Sequence, residues 1–307
     1  MLDLVHYPKL PNRIYGGRNG TKIGVEINHE AYMVKFPAST RLNGQMSDAN
    51  NSVSEFLGCH IFSLLGFNSQ DTFLATYDDQ LVVACKDFEQ NGYVFKEFAF
   101  LKNSMVGLSQ EGYGTELSEV LLTIDEQQLI DAAQLHSFFW QMFVVDAYIG
   151  NFDRHNGNWG FLTNYTTNDT KLAPIFDCGS CLFPQTDEQS MKKYLEDQEE
   201  RDKRIYKYPT SALKLNGVKI NYPEYLTTTT NKDCLQAIIA IHDRIDERKI
   251  NQLIDECEPL SDTNKEFLKV MLHDRKVRII DHAYDIQVRK APYLIMNSKK
   301  EENDVEL

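Results

Sequence analysis

Short stretches in which hydrophobic and polar residues alternate dominate the first part of the chain, and polar or glycine-rich turns separate them. Four of them have the length and composition of β-strands, at Val25–Ile27, Ala31–Phe36, Thr72–Thr76 and Leu81–Cys85. A glycine-rich segment, Tyr15–Gly24, precedes the first strand. The pattern predicts a β-hairpin that follows a glycine loop, with two more strands further along the chain.

One helix is predicted inside this β-rich region. The segment SVSE, which starts at Ser52, has the S-x-x-E pattern of a capping box, and apolar residues then recur at helical spacing as far as Gly66. In a capping box the glutamate carboxylate accepts a hydrogen bond from the backbone N–H of the capping serine. The sequence therefore predicts a helix that begins near Ser52, and a role of Glu55 in its cap is the structural alternative to a role of Glu55 as the partner of Lys35.

Beyond residue 88 the apolar residues recur with a helical period. The longest such stretch, Asp125–Ile149, is predicted to be one helix, and its second half is apolar around most of its circumference, as is typical of a core helix. A charge-dense run at Asp187–Arg204 predicts a solvated helix. Asn216-Gly217 predicts a hairpin, and further helices are predicted at Asp233–Asp255 and Thr263–Gln287.

Together these elements predict an α+β protein with two lobes. Residues 1–88 would form a small β-rich N-lobe, residues 89–297 a larger helical C-lobe, and residues 298–307 a disordered tail. The length of 307 residues agrees with two lobes, since a domain averages about 150 residues. This is the layout of a bilobal nucleotide-binding protein.

Charge and cysteine content narrow the classes of function. The chain has 32 lysine and arginine residues against 45 aspartate and glutamate residues, a net charge of −13. This balance argues against direct binding to nucleic acid or to a membrane, because phosphate backbones and anionic lipids attract positive charge. Six cysteines are too few for a disulfide scaffold, and no secretory leader or transmembrane segment is evident, which predicts a cytoplasmic protein with reduced thiols.

The polar stretch GNFDRHNGNWG follows the long apolar helix and holds the first candidate chemical groups. Phosphoryl transfer needs a carboxylate that orients the attacking hydroxyl and accepts its proton, and oxygen ligands that hold a metal against the phosphates. Asp153 and Asn158 have the spacing of these two groups in the protein-kinase catalytic loop. Asp177, two residues before Gly179, lies where a kinase carries a second metal-binding carboxylate.

The N-lobe contains complementary groups. Backbone N–H groups of a glycine-rich loop can surround phosphates, which makes Gly16, Gly17 and Gly20 candidates for nucleotide binding. Lys35 lies on the strand that follows the loop and is a candidate for the α- and β-phosphates. Glu55, on the next helix, is the candidate partner that would hold the Lys35 ammonium group in place.

Four further residues are candidates for the nucleotide site. Thr21 and Lys22 adjoin the glycine loop, although Lys22 is equally well explained as a solvated loop lysine. Cys85 and Asp87 belong to the segment VVACKDF, where a strand would enter the inter-lobe linker. Adenine usually forms hydrogen bonds with the backbone of such a linker.

Several of these residues also have a purely structural explanation. The segment Asp153–His155 alone is compatible with a polar turn, but together with Asn158 the catalytic interpretation is favoured. His155 is a catalytic candidate that we expect to buttress the loop, because Asp153 already supplies the base. Cys178 and Cys181 form a C-x-x-C, but the sequence contains no second pair at zinc-binding spacing.

The segments GNFDRHNGNW and LAPIFDCGS resemble the HipA-like serine/threonine kinases, in which N-x-D-x-H-x-x-N-(W/F) is followed by a P-x-(Y/F)-D metal motif. YMVKFP, SEFLGCHIF and VVACKDF resemble more specifically the short CtkA-type branch of that family. The resemblance covers about residues 12 to 290 and implies a protein-kinase-like fold with ATP and Mg²⁺ as cofactors. It implies Asp153 as the catalytic base, Asn158 and Asp177 as metal ligands, and Lys35 as the ATP lysine.

The resemblance also implies a protein substrate, autophosphorylation and an antitoxin-like partner. The chain departs from the longer HipA toxins at two points. Only about a dozen residues precede the glycine loop, where those toxins carry an additional subdomain. Tyr15 and Thr21 are the only hydroxyl residues of the loop, where those toxins carry an autophosphorylated serine.

Two other functions are compatible with parts of the pattern. A non-catalytic nucleotide-binding module that acts through a partner would keep the fold, but such proteins usually lack at least one catalytic group, and all are present here. A metal-dependent hydrolase built on Asp153, His155 and Asp177 would act on phosphoesters without ATP. That function leaves the glycine loop and Lys35 without a role.

Overall fold

The computed structural model describes residues 1–16, 21–37, 50–106, 112–208 and 210–287. Gly17 and Gly20, two of the predicted phosphate-binding glycines, lie outside the described residues, and so does the predicted tail at 298–307. The described residues form an α+β structure, with a β-sheet region followed by a mainly helical region, as the sequence predicts.

The N-terminal sheet has five strands, β1 Leu2–Asp3, β2 Lys22–Ile27, β3 Glu30–Lys35, β4 Thr72–Tyr77 and β5 Gln80–Lys86. Their order is β1-β4-β5-β3-β2, with β1 parallel to β4 and every other pair antiparallel. The turns Asn28-His29 and Asp78-Asp79 each have two successive residues with positive φ, the type I′ geometry that two-residue hairpins favour. The predicted hairpin and the two further strands are confirmed.

The helix of this region, α1 Asn51–Leu64, begins differently from the prediction. Its N-cap is Asn50, whose side chain makes no capping hydrogen bond, so the predicted capping box is wrong. Ser52 and Glu55 are both 2% exposed and lie inside the helix. The Glu55 carboxylate is therefore available for a partner outside the helix.

A second sheet and three helices follow, namely β6 Tyr93–Glu97, α2 Phe98–Val106, α3 Leu117–Glu126, α4 Ala132–Ile149, β7 Gly160–Asn164 and β8 Asp169–Leu172. The strands are ordered β6-β7-β8 and are all antiparallel. The single helix predicted for Asp125–Ile149 is wrong, because α3 ends at Glu126 and α4 begins at Ala132. Asp131 caps α4 by accepting a hydrogen bond from the Gln134 backbone N–H at 2.9 Å, which an uninterrupted helix would not allow.

The remaining elements are α5 Glu188–Glu196, α6 Gln198–Asp202, β9 Thr210–Leu215, β10 Val218–Asn221, α7 Tyr222–Thr228, α8 Lys232–His242, α9 Glu247–Asp255 and α10 Asp262–Arg275. Short π-helical turns follow α6 and α10. The charge-dense run is helical as predicted, although it is divided between α5 and α6, and the β9–β10 hairpin turns at Asn216-Gly217 as predicted. No helix in the described part of the chain is long and apolar enough to span a membrane.

The buried apolar side chains form two clusters. The smaller one covers one face of the N-terminal sheet, around Val25 and Val34. The larger one surrounds α4 and includes Leu57 and Ile61 of α1, so that α1 packs against the C-terminal part of the molecule. Residues 144–149, the last turns of α4, are at most 1% exposed. The loop that leaves this helix therefore starts from a rigid position.

Candidate active site

Three charged side chains from distant parts of the sequence meet beside the N-terminal sheet. The Lys35 ammonium group, at the end of β3, lies 3.1 Å from the Glu55 carboxylate of α1 and 3.0 Å from the Asp177 carboxylate. The Lys35 and Glu55 side chains are 14% and 2% exposed. The predicted Lys35–Glu55 pair is present, and the predicted metal-binding Asp177 joins it directly.

Burial and charge oppose each other at Lys35. Burial by itself lowers the pKa of Lys35, but the attraction of Asp177 and Glu55 outweighs it and raises this pKa well above 10.5. The Lys35 ammonium group in turn lowers the pKa of Asp177 to about 2, against the opposing effect of burial. Both groups are therefore charged at neutral pH.

The lowered pKa of Asp177 predicts an acid-dependent loss of stability. Its pKa is below that of an unfolded aspartate, so Asp177 stabilises the folded state above about pH 4, and this contribution disappears as the pH falls towards 2. Thermal unfolding should show wild type more stable than Asp177→Asn at pH 6, with the difference shrinking between about pH 4 and pH 2. Asp262→Asn is the same substitution at an exposed position and serves as the control, and a pH-independent gap for Asp177→Asn would contradict the assignment.

The predicted catalytic loop begins at Gly150, immediately after α4. Gly150 has a φ of 69°, and a Cβ there would lie 1.6 Å from the Arg275 guanidinium, so only glycine fits this turn. Within the loop the Asn158 side-chain amide donates to the Asp153 carbonyl at 2.9 Å. The Gly157 backbone N–H donates to His155 Nδ1 at 3.0 Å, which is the buttressing role expected of His155.

Within this loop, the Asp153 carboxylate is the group that is available to contact a substrate. Its backbone carbonyl accepts hydrogen bonds from the His155 N–H and the Asn158 amide, whereas its carboxylate accepts none from the described residues. Partial burial raises the pKa of Asp153, and the nearby charge of Asp177 raises it further, while His155 lowers it. Asp153 thus lies within electrostatic range of Asp177, which belongs to the charged group with Lys35 and Glu55.

Arg154 connects the two predicted catalytic segments, a role that the sequence reasoning missed. Its guanidinium forms a buried ion pair with Asp146 of α4 at 3.1 Å. It also donates to the carbonyl of Asn158 at 3.0 Å and to the carbonyl of Phe176. One buried cation therefore holds the catalytic loop, the Asp177 segment and the core helix together. Asp146, the one acidic residue of α4, was the signal in the sequence that a buried partner must exist.

The segment around Asp177 adopts a strained conformation. Asp177 has a φ of 55°, a left-handed backbone that costs a non-glycine residue about 1–3 kcal/mol and is typical of functional sites. Next to it, Cys178 and Cys181 are fully buried and lie against Gly58 of α1. A Cβ at Gly58 would lie 2.6 Å from the Cys178 Cβ. The C-x-x-C pair thus packs the Asp177 segment against α1.

Only part of the predicted glycine loop is described. Gly16 and Thr21 are exposed, and the Lys22 ammonium group donates to the Gly16 carbonyl at 2.7 Å. Burial lowers the pKa of Lys22, and the nearby charge of Lys35 lowers it further. Lys22 therefore lies on the same side of the sheet as the Lys35 group.

In the predicted linker after β5, both the backbone and the side chain of Asp87 form hydrogen bonds within the protein. The Asp87 backbone N–H donates to the Ala31 carbonyl at 2.9 Å, and its carboxylate accepts from the Tyr15 hydroxyl at 3.0 Å and lies 3.2 Å from the Arg13 guanidinium. Burial and the Asp87 charge raise the pKa of Tyr15. Cys85, one strand position before Lys86, is fully buried. Asp87 thus fixes the linker, and the N-terminal segment with Tyr15 covers it.

Three phenylalanines form an apolar surface beside this linker that the sequence did not reveal. Phe88, Phe95 and Phe176 contact one another, with ring centroids 5.2–5.5 Å apart. Phe176 immediately precedes Asp177, so one segment carries both an aromatic ring and a charged group. Such a surface suits the flat face of a nucleobase.

The donor set fits a hard divalent cation that also binds phosphate. Asn158 and Asp177 offer oxygen atoms, Asp177 is ionised, and the Asn158 Oδ1 accepts no hydrogen bond from the residues that the structure describes. No group of three or more histidine, cysteine or acidic residues suited to a metal ion exists among the described residues. Two protein oxygens combined with substrate phosphates are typical of Mg²⁺ in phosphotransferases.

Comparison with known proteins gives consistent matches over most of the chain. Residues 9–259 match the family described as HipA-like C-terminal domain. The chain is 48% identical over 275 residues to serine/threonine-protein kinase CtkA of Helicobacter pylori strain J99, covering 89% of this chain and 85% of that protein. A crystal structure of a Helicobacter pylori proinflammatory kinase CtkA superposes with a TM-score of 0.90 at 46% identity, covering 94% of this chain and 98% of the other.

A more distant match concerns the fold alone. HipA of Shewanella oneidensis MR-1, solved in a complex with HipB and its operator DNA, has a TM-score of 0.55 at 14% identity. The alignment covers 90% of this chain and 70% of the HipA chain. The protein-kinase-like fold predicted from the sequence is confirmed by both structural matches.

Proposed function

This chain belongs to the family of HipA-like C-terminal domains and is a serine/threonine-protein kinase, and we propose that it transfers the γ-phosphoryl group of Mg-ATP to a protein hydroxyl. The observation that carries the proposal is the meeting of Lys35, Glu55 and Asp177, with Asp153 within electrostatic range of Asp177. These residues come from four separate segments, and each has the charge that phosphoryl transfer requires.

On the nucleotide side, the chain's own residues bind and orient phosphates. Glu55 holds the Lys35 ammonium group in place, so that Lys35 can contact the α- and β-phosphates without losing its position. Gly16 and Lys22 lie at the described edge of the glycine loop, and Gly17, Gly20 and Thr21 are proposed to complete the phosphate site. The surface formed by Phe88, Phe95 and Phe176, which adjoins Cys85 and Asp87, is proposed to receive adenine.

On the acceptor side, Asp153 orients the attacking hydroxyl and accepts its proton. Its carboxylate accepts no hydrogen bond from the residues that the structure describes, and its raised pKa makes it a better proton acceptor than an exposed aspartate. Asn158 and Asp177 would hold Mg²⁺, which neutralises developing charge on the phosphates. His155 keeps the loop in shape through Gly157.

The proposal includes a protein substrate and autophosphorylation, with Thr21 as the exposed hydroxyl nearest to the glycine loop. An antitoxin-like partner stays a prediction, because the Shewanella HipA that was solved with HipB shares only the fold with this chain. The cytoplasmic location and the lobe boundaries 1–88 and 89–297 also stay predictions.

The direct test is to incubate the purified protein with Mg²⁺ and γ-labelled ATP and to map any phosphosites by mass spectrometry. We expect label on serine or threonine, abolished by a chelator and restored by Mg²⁺. Binding of Mg-ATP in calorimetry without any transfer to protein, including to a broad panel of protein acceptors, would favour the nucleotide-binding module. Hydrolysis of phosphoesters without ATP would favour the hydrolase.

Replacing Lys35 by methionine should weaken ATP binding and lower phosphoryl transfer by about tenfold or more, because the charge that contacts the phosphates is lost. Calorimetry with Mg-ATP and label incorporation measure the two effects. Lys9→Met, an exposed lysine in the same part of the molecule, is the matched control and should leave both unchanged. Equal ATP affinity in wild type and Lys35→Met would contradict the role of Lys35.

A further inference from the structure

Two lysines face each other across the β9–β10 hairpin. Lys214 and Lys219 are direct register partners in the two antiparallel strands. Like charges at directly opposed positions destabilise a hairpin. The chain carries 45 acidic residues, yet in the described ranges neither lysine forms an ion pair. The electrostatic repulsion between the two ammonium groups would be relieved by an anion, which points to a negatively charged ligand.

The hairpin is firmly attached to the catalytic loop. Tyr222, which directly follows β10, is buried and donates its hydroxyl to the Asn151 carbonyl at 2.8 Å. At the other end, the Glu116 carboxylate accepts from the backbone N–H groups of Asn216 and Gly217 at 2.7 and 2.9 Å. The hairpin is therefore held at both ends, and its position relative to the catalytic loop is defined.

The lysine pair lies within electrostatic reach of the proposed base. Lys219 is one of the cations that act on the Asp153 carboxyl group, and it is exposed. The hairpin belongs to the C-terminal part of the chain, whereas the proposed phosphate-binding groups Lys35 and Lys22 belong to the N-terminal sheet. Lys219 lies three residues before Tyr222, which is hydrogen-bonded to the loop that carries Asp153, so the hairpin lies beside this loop.

The edge of β10 is available to an extended chain. Among the strands that the structure describes, β10 pairs with β9 alone, and Val218 on this strand is 71% exposed. An extended peptide can add to such an edge through main-chain hydrogen bonds, while side chains provide the selectivity. An edge strand that carries an exposed valine and a lysine suits a segment with apolar and acidic residues.

We propose that the β9–β10 hairpin binds the acceptor segment of the substrate protein and selects acidic residues near the phosphorylated hydroxyl through Lys214 and Lys219. This inference rests on the proposed kinase function and specifies its substrate class. An acidic segment bound along β10 would neutralise the charges of these two opposed lysines. The net charge of −13 opposes the approach of an acidic segment, so the attraction has to come locally from Lys214 and Lys219.

The test uses three fluorescein-labelled serine peptides that differ only in their flanking residues, which are glutamate, lysine or glutamine. Anisotropy titrations with the full-length protein at low salt measure binding, and label incorporation measures KM and kcat. We expect the glutamate peptide to bind about tenfold more tightly than the glutamine peptide, with the difference in KM and not in kcat. Added salt should reduce the preference, because the contact is exposed.

Lys219→Glu should abolish or reverse the preference, and Lys219→Gln should abolish it if the glutamate variant does not fold. Lys249→Glu is the matched control, since Lys249 is an exposed lysine on α9, and it should keep the wild-type preference. Equal binding of the three peptides, or no binding of the glutamate peptide at millimolar concentration, would overturn the inference. Competition by single-stranded RNA in place of the acidic peptide would also overturn it.

The same preparation separates this inference from the proposed function. Mg-ATP binding and autophosphorylation are measured without peptide, so intact transfer with no acidic preference would refute the docking surface and leave the kinase proposal standing. Absence of ATP binding and of transfer would instead refute the nucleotide site.

Discussion

Asp153→Asn should lower phosphoryl transfer by about a hundred- to ten-thousandfold, the contribution usual for a positioned general base. Within the described ranges the carboxylate accepts no hydrogen bond, whereas the backbone carbonyl of the same residue accepts from the His155 N–H and the Asn158 amide. Substitution of the side chain therefore removes the base and leaves the hydrogen bonds that shape the loop. Initial rates of label incorporation at saturating Mg-ATP measure the effect.

The control measurements for Asp153→Asn are Mg-ATP affinity and melting temperature, both of which should stay close to the wild-type values. Asp262→Asn, in the first turn of α10, is the matched variant and should keep full activity. Undiminished transfer in Asp153→Asn would show that another group accepts the proton. A parallel loss of ATP affinity would show that Asp153 acts on the nucleotide instead of the acceptor.

Arg154→Met should destabilise the folded protein by about 3–5 kcal/mol, because it leaves a buried carboxylate without its partner. The Arg154 and Asp146 side chains are 4% and 1% exposed, so solvent cannot replace the lost charge. Burial raises the pKa of Asp146 and the guanidinium opposes that shift, which makes protonation of Asp146 the expected response to the loss of Arg154. Chemical unfolding at pH 7 measures the free energy.

The double variant Arg154→Met/Asp146→Leu separates stability from positioning. Replacing both partners of a buried ion pair by apolar residues is often nearly neutral, so this variant should recover most of the lost stability. It should nevertheless transfer phosphate poorly, since nothing then joins the carbonyls of Asn158 and Phe176. Wild-type activity in the stable double variant would show that Arg154 is needed only for folding.

The surface pair Arg248–Asp246 provides the comparison for Arg154. The Arg248 side chain is 93% exposed, and Arg248→Met should change stability by no more than about 0.5 kcal/mol. A similar small effect for Arg154→Met would contradict the connecting role that we assign to it. Comparing Arg154→Met with Arg248→Met tests how burial affects the loss of stability, because the same substitution is made at a buried and at an exposed position.

Local patterns predicted most of the secondary structure and failed where tertiary contacts compete with them. The alternation at Val25–Ile27 and Ala31–Phe36 predicted the hairpin correctly, since a strand pattern and a two-residue turn are local features. The capping box at Ser52 was wrong because its glutamate, Glu55, pairs with a lysine of another element. The break between α3 and α4 was missed because Asp131 can cap a helix or lie within one, and spacing alone does not distinguish the two.

The sequence by itself determined the order and chemical type of the proposed catalytic groups, because Asp153, Asn158 and Asp177 lie in short motifs whose spacing can be read directly. Only the tertiary structure decided that Lys35 pairs with both Glu55 and Asp177, that Arg154 joins the catalytic segments, and that the β9–β10 hairpin is held beside the catalytic loop. These contacts join residues of separate segments of the chain. They depend on how the elements pack, and the spacing of residues within a single segment does not specify that packing.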